Sequence, residues 1–516
     1  MKKQKPPPQF FGAGATKTEA KMDEYTTLLH RLQAYAKSDA CALHMPGHKR
    51  NCEGFDFLEE LGAKYDISEI SGFDDLHCPR GVLAEAMARA AALWKSERAF
   101  FLVNGSTCGI LAAIRAASEA CGDGKIIVAR NCHKSVYNAI ELCGLTPIYL
   151  APPTVEGFGF CGSISPKAVE LSVRDNPGTP VILTSPTYEG VISCSSEIAI
   201  ICHMYGSPLI VDEAHGAHLD LSPHFTGGAV RAGADIVVQS IHKTLTGLTQ
   251  TALVHMSGQL ISPEDMQREL AVFETSSPSY LLMASIDGTT ELISRRGNEL
   301  FRAWNARLNL FDERVSVLQS LRTPGHGDPF DCQKQPGSVG YAKKGAENPE
   351  VYRFDRSKIV ISCEGTDTTG VALMNELRER FAIECEMAAG GYVVAMTGLL
   401  DREESLERLA DALCILDSET RRTAPRLPIS QPSRLPPRVM SATEARHRPT
   451  RALALRDAVG KISAEYVWAY PPGVPLVVPG EELTDELMRS FIIQRETGVS
   501  LRSTYGGMPK MVQTLI

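Results

Sequence analysis

Between residues 99 and 256 the chain repeats one pattern, a short apolar run followed by a polar turn and a helix-forming stretch. The runs are Ala99–Val103, Lys125–Ala129, Pro147–Leu150, Val181–Thr184, Leu209–Val211, Ile236–Gln239 and Thr251–Met256. They are rich in β-branched residues and largely continuous in their apolar character. Each therefore predicts a strand buried on both faces rather than one with a wet side. Helical patterns such as Thr107–Ala120 and Ser135–Cys143 fall between them and supply the cover. The fold class this dictates is α/β, with a mostly parallel seven-stranded sheet between layers of helices. Ligands collect where the carboxyl ends of such strands open, so chemistry is to be sought just after each run.

Ser240-Ile241-His242-Lys243 follows the sixth run. A lysine at the end of a buried strand serves structure poorly, because burial disfavours its ammonium form. A lowered pKa is what an amine needs to attack a carbonyl. The preceding run ends in Asp212-Glu213-Ala214-His215. A carboxylate and a lysine at neighbouring strand ends are what pyridoxal 5'-phosphate requires. The lysine holds its aldehyde as a Schiff base, and the carboxylate keeps the pyridine nitrogen protonated.

Asn104-Gly105-Ser106-Thr107 follows the first run and opens a helix. Its hydroxyls and amides serve either as an ordinary N-cap or as a phosphate site, and the lysine favours the phosphate. Ser240 is a second candidate phosphate donor. His133, beyond the second run, is either structural or stacked on the cofactor ring, and His215 could bond the ring's phenolate oxygen. His215 and His218 also have a spacing seen in metal sites, but no Cys, His or carboxylate cluster completes one, and metal is rejected.

At 516 residues the chain exceeds what a single core usually holds. The expected divisions are an N-terminal segment 1–70, a large cofactor-binding domain 71–310, a smaller α+β domain 311–420, a linker 421–440 and a C-terminal segment 441–516. A net charge of −8 gives no electrostatic reason to expect nucleic acid. The 14 cysteines contain no Cys-x-x-Cys pair and lie often in apolar runs, which suggests reduced core thiols. The basic N-terminus lacks the apolar stretch of a signal peptide, and no run approaches the length of a membrane span. A cytoplasmic enzyme is expected.

Outside the repeat, a helix is predicted over Thr18–Lys37, followed by turn-rich loops at His44–Lys49 and Gly72–Gly81. Thr275–Tyr280 is a polar turn, and Leu281–Leu321 predicts a long helix bridging two domains. Strand Lys358–Cys363, helix Val371–Phe381 and strand Tyr392–Met396 outline the smaller domain. Arg421–Arg438 reads as linker, and Tyr470–Glu481 is a proline-braced extended tail.

The chain resembles the short form of the Orn/Lys/Arg decarboxylase family, fold type I pyridoxal-phosphate enzymes. The matching segments are His44–Lys49, Gly72–His77, Phe101–Thr107, Arg130–Ser135, Asp212–His215, Ser240–Lys243, Thr275–Tyr280 and Tyr470–Pro475, in the family's order along the chain. The resemblance implies that Lys243 carries the Schiff base, Asp212 pairs with the pyridine nitrogen and His133 stacks on the ring. It puts Ser106, Thr107, Ser240 and His242 in contact with the cofactor, and gives Lys243 or His242 the proton returned to Cα. The family's long forms commonly have Trp where His215 stands. The implied substrate is a basic amino acid, with L-arginine chosen over lysine or ornithine; an α-oxoamine synthase is the more distant alternative. Thr275–Tyr280 matches a segment that reaches a neighbour's cofactor, so a homodimer or higher homo-oligomer with shared sites is expected, the dimer being the minimal unit. A distal substrate cation needs a carboxylate. Glu481, presented by Pro479-Gly480, is the candidate, unless it merely begins the following helix.

Overall fold

The computed structural model describes residues 27–324, 350–423, 435–471, 473–505 and 510–516. The expected runs form strands β1 (Arg98–Leu102), β2 (Lys125–Ala129), β3 (Thr146–Leu150) and β4 (Val181–Thr184). A two-residue β5 (Val191–Ile192) intervenes before β6 (Leu209–Asp212), β7 (Ile236–Ser240) and β8 (Ala252–Met256). Seven of them, β5 aside, make one sheet in the order β1-β8-β7-β6-β4-β2-β3. β2, β3, β4, β6 and β7 pair in parallel, while β8 runs antiparallel to both β7 and β1. Every residue of β6, β7 and β8 is buried, as continuous apolar runs demand.

The helix Gly105–Cys121 lies directly against this sheet. A Cβ on Gly109 would stand 2.6 Å from Leu102 Cδ1 and 3.0 Å from Val238 Cγ1, so only glycine lets the helix settle there. That depth fixes the helix N-terminus beside the end of β7, where the site forms.

The bridging helix runs over Tyr280–Val315, opened by Ser279, whose hydroxyl accepts from the Leu282 amide. It ends before the expected Leu321 because the next turn is gathered by a carboxylate. Asp417 accepts from the amides of Gln319, Ser320 and Leu321 at 2.8, 2.7 and 2.7 Å. The 310/311 division therefore falls inside this helix. Its Phe301 and Trp304 pack with Phe225 and His218 of the large domain, and Trp304 Nε1 donates to Thr397 Oγ1 at 2.9 Å.

Beyond it, β9 (Arg353–Phe354) pairs with β5, and β10 (Lys358–Ser362), β11 (Met387–Ala388) and β12 (Tyr392–Met396) form an antiparallel sheet. The C-terminal segment contributes β13 (Thr450–Ala454), β14 (Val467–Ala469), β15 (Pro475–Val477), β16 (Leu501–Ser503) and β17 (Met511–Leu515). It has its own small core of Leu455, Val467, Val477, Leu487 and Phe491. At the other end, the first described helix is Leu28–Ala36, capped by Thr27; residues 18–26 of the predicted helix lie outside the described residues, as do 424–434 of the linker. No described helix is long and apolar enough to cross a membrane.

Candidate active site

The carboxyl ends of β1, β2, β4, β6 and β7 open into a cavity of about 490 Å³, closed by residues of the second sheet and of the C-terminal tail. Ser106, Thr107, His133, Asp212, His215, Ser240, His242 and Lys243 all line it. Eight polar side chains scattered over 138 positions of sequence meet here because each follows a strand of one sheet.

At one end, Gly105 takes φ +74° and gives its N–H to the Gln250 carbonyl at 2.9 Å. The helix it opens has no side-chain cap, so first-turn amides are left for another acceptor. The Asn104 side chain instead accepts from the Thr275 amide at 3.1 Å. Ser240 Oγ donates to Ser106 Oγ at 3.1 Å, which brings the hydroxyls after β7 and β1 together. Amides, hydroxyls and the positive end of the helix dipole make a site for a compact anion.

At the other end, Lys243 Nζ stands 2.8 Å from His215 Nε2. Burial lowers the Lys243 pKa to about 8, with Asp212 pulling it up and the buried Lys358 pushing it further down. Asp212 accepts from the Ala214 amide at 3.2 Å. Burial raises its pKa, while Lys243 and that amide hold it down. Burial keeps His215 neutral, and its Nδ1 is a buried atom without a partner. Thr184 Oγ1 and Asn131 Oδ1, also on the cavity wall, are orphaned in the same way.

His133 caps the helix Lys134–Leu142, its Nδ1 accepting from the Ser135 amide at 3.2 Å, which puts the ring proton on Nε2. Burial, with the positive charge of Lys243, brings its pKa down to about 4. His242 Nδ1 donates to the Thr251 carbonyl at 2.9 Å, leaving Nε2 as an acceptor. Behind His215 lies a wholly buried network from the smaller domain. Lys358 Nζ donates to the His215 carbonyl at 3.1 Å, to Asp355 Oδ2 at 3.1 Å and to Ser357 Oγ at 2.7 Å. Asp355 accepts from His218 Nε2 at 3.0 Å, and Thr244 Oγ1, next to Lys243, donates to His218 Nδ1 at 3.1 Å.

Residues 26–372 match the major domain of the Orn/Lys/Arg decarboxylases, and residues 430–499 match their C-terminal domain. The chain belongs to this family. It is 29% identical over 505 residues to the arginine decarboxylase of Bacillus subtilis (strain 168), covering 96% of this chain and 99% of that one. The arginine decarboxylase of Halalkalibacterium halodurans is 30% identical, over 90% of this chain and 92% of that one. The inducible lysine decarboxylase of Escherichia coli K12 is 24% identical, over 92% and 78%. Among solved structures, the constitutive lysine decarboxylase of E. coli superimposes with a TM-score of 0.77 at 19% identity, covering 95% of this chain and 82% of that one.

The chain is thus a pyridoxal-phosphate-dependent amino-acid decarboxylase, and its residues fit that cofactor. The anion site suits the phosphate, the buried Asp212 carboxylate suits a protonated ring nitrogen, and the orphaned polar atoms of the wall await partners. Among the described residues no group of three or more His, Cys, Asp or Glu could hold a metal. His218, whose spacing from His215 suggested one, faces Asp355 instead. The turn His44–Lys49 stays outside the cavity: His44 Nε2 meets Tyr35 Oη at 2.9 Å and His48 Nε2 meets Asp66 at 3.2 Å.

Glu481 is not where the sequence put it. It is 1% exposed and does not line the cavity, its carboxylate pairing with Arg130 Nη2 at 3.1 Å and accepting from the Val478 amide at 2.8 Å. Nor does it begin the following helix, which Thr484 caps. Both readings assumed a carboxylate free to face outward; a buried arginine far away in sequence has taken it. Besides Asp212, the acidic side chains that do line the cavity are Glu189, Glu364 and Glu386. Tyr188 gives its hydroxyl to Glu386, and Tyr392 gives its own to Glu189 at 2.8 Å. None was read from sequence: Tyr188 and Glu189 follow β4 of the large sheet, where the same rule applied, whereas Glu364 follows a strand of the antiparallel sheet, where it did not.

Proposed function

We propose that this decarboxylase converts L-arginine to agmatine and carbon dioxide. The observation that carries the choice is the match, over nearly the whole of both chains, to proteins named arginine decarboxylases. An acidic wall of Glu189, Glu364 and Glu386 suits a substrate with a second cation. The second reading is lysine, favoured by the relatives named lysine decarboxylases.

Bound pyridoxal phosphate supplies an electron sink for the charge left on Cα when the carboxylate departs. The protein's own groups do the rest. Lys243, its proton loosened by burial, would hold the cofactor's aldehyde. Asp212 keeps a proton on the ring nitrogen through its negative charge, in a site dry enough for that charge to act strongly. His133 would offer the ring a neutral, flat surface. Ser106, Thr107 and Ser240 would hold the phosphate, and His215 Nδ1, which has no protein partner, would bond the phenolate oxygen. Lys243, or His242 once it has taken a proton on Nε2, would return a proton to Cα.

The working unit we propose is a homodimer, since Thr275–Tyr280 contributes nothing to the cavity of its own chain. Carbon dioxide release from arginine, lysine and ornithine in parallel is the test, with sedimentation of the same sample for the dimer. Arginine should be turned over fastest; a preference for lysine or ornithine overturns the substrate, and an active monomer overturns the shared site.

A further inference from the structure

Arg130 and His133 sit on one loop after β2, three residues apart. The first is buried behind the cavity and the second faces into it. Arg130 Nη1 donates to the Pro475 carbonyl at 2.6 Å, and Nη2 pairs with Glu481 at 3.1 Å. The same Glu481 carboxylate accepts from the Val478 amide, so a single guanidinium seats both ends of the turn from Pro475 to Glu481. Just before that turn, the Gly473 carbonyl accepts from the Lys134 amide at 3.0 Å. Gly473 has φ +88°, and a Cβ on it would lie 3.2 Å from both Cδ2 and Nε2 of His133. The tail thus presses bare backbone against the edge of the imidazole, while Ser135 ties the opposite edge.

We propose that Arg130 and Glu481 are positioning residues for the cofactor. Their buried ion pair holds the tail so that Gly473 fixes the tilt of the His133 ring. The inference rests on reading His133 as the group that lies against the cofactor ring. A shallower role, in which the pair only stabilises the tail, would make the effect of the pair on cofactor binding independent of His133.

The experiment is a double-variant cycle on the full-length protein, read by the affinity of the cofactor-free form for pyridoxal phosphate and by the circular dichroism of the bound cofactor. Glu481→Gln keeps the side-chain shape and removes the charge. It should weaken pyridoxal phosphate about tenfold and diminish the dichroic band, and in a His133→Ala background it should change neither. Gly473→Ala, which leaves the ion pair alone and crowds the ring, should reproduce the Glu481→Gln result. Should Glu481→Gln fail to fold, Gly473→Ala with and without His133→Ala completes the cycle. A loss of affinity as large without His133 as with it overturns the positioning role. So does an unchanged affinity and dichroism in folded Glu481→Gln. Normal affinity and dichroism in His133→Ala overturns instead the reading of His133.

Discussion

Two lysines meet His215, Lys243 at its ring and Lys358 at its carbonyl, and their surroundings divide them. Lys358 is wholly buried, with a carboxylate, a hydroxyl and a carbonyl around its nitrogen. Lys243 opens on the cavity, touches only a neutral imidazole, and feels Asp212 through space. Its pKa falls to about 8, in part because the charge of Lys358 lies close by. Burial alone does not make a reactive lysine. Lys243 has one neutral acceptor where Lys358 has three, and after burial the charge of Lys358 is what lowers the Lys243 pKa further.

Exchanging each lysine separates the two roles. Lys243→Ala should lose carbon dioxide release by about ten-thousandfold or more, and borohydride should no longer fix the cofactor to the chain. An adduct mapped to another lysine would mean that the wrong one has been assigned. Lys358→Met should instead strike at stability, because it strands the buried Asp355 carboxylate. A loss of about 3–5 kcal/mol in urea unfolding is expected. Asp355→Asn with Lys358→Met, which leaves no charge behind, should recover most of it. If the single change costs nothing, the pair carries no weight in the fold. The smallest effect is in pH. Attachment of pyridoxal phosphate to the cofactor-free protein needs the neutral amine, so its rate should rise with pH and level off above about 8. An ordinary lysine would climb on towards about 10.4. In the double variant the plateau should move to higher pH, since the opposing charge is gone; a plateau that stays put removes Lys358 from the account.

The same contrast explains what could be read from the chain beforehand. The places of Lys243, Asp212, Ser106, Ser240 and His133 on the cavity were legible because each stands at the last residue of a strand or within four residues beyond it, and the strand's apolar run is itself local information. The seven strands were legible for that reason too, with ends shifted by a residue or so. Lys358 was read only as the start of a strand. Nothing near it in sequence says that its amine will reach His215, 143 residues away. Glu481 misled because a Pro-Gly turn and an acidic residue look the same whether the carboxylate faces solvent or is paired with Arg130, 351 residues earlier. Partners chosen by tertiary packing leave no local trace.

β8, the strand that runs against its neighbours, governs how the molecule comes into being. β2, β3, β4, β6 and β7 can pair with one another as they are made. β1 cannot, because it pairs only with β8, in the register Arg98↔Met256 to Leu102↔Ala252. A growing chain must therefore pass Met256 before its first strand has a partner, and the long loop must then close, an encounter far slower than local pairing. Until it does, Ser106 has no route to Ser240. The anion site around Ser106 and Ser240 is completed late in the life of the nascent chain, and any fragment that stops before β8 lacks one side of it.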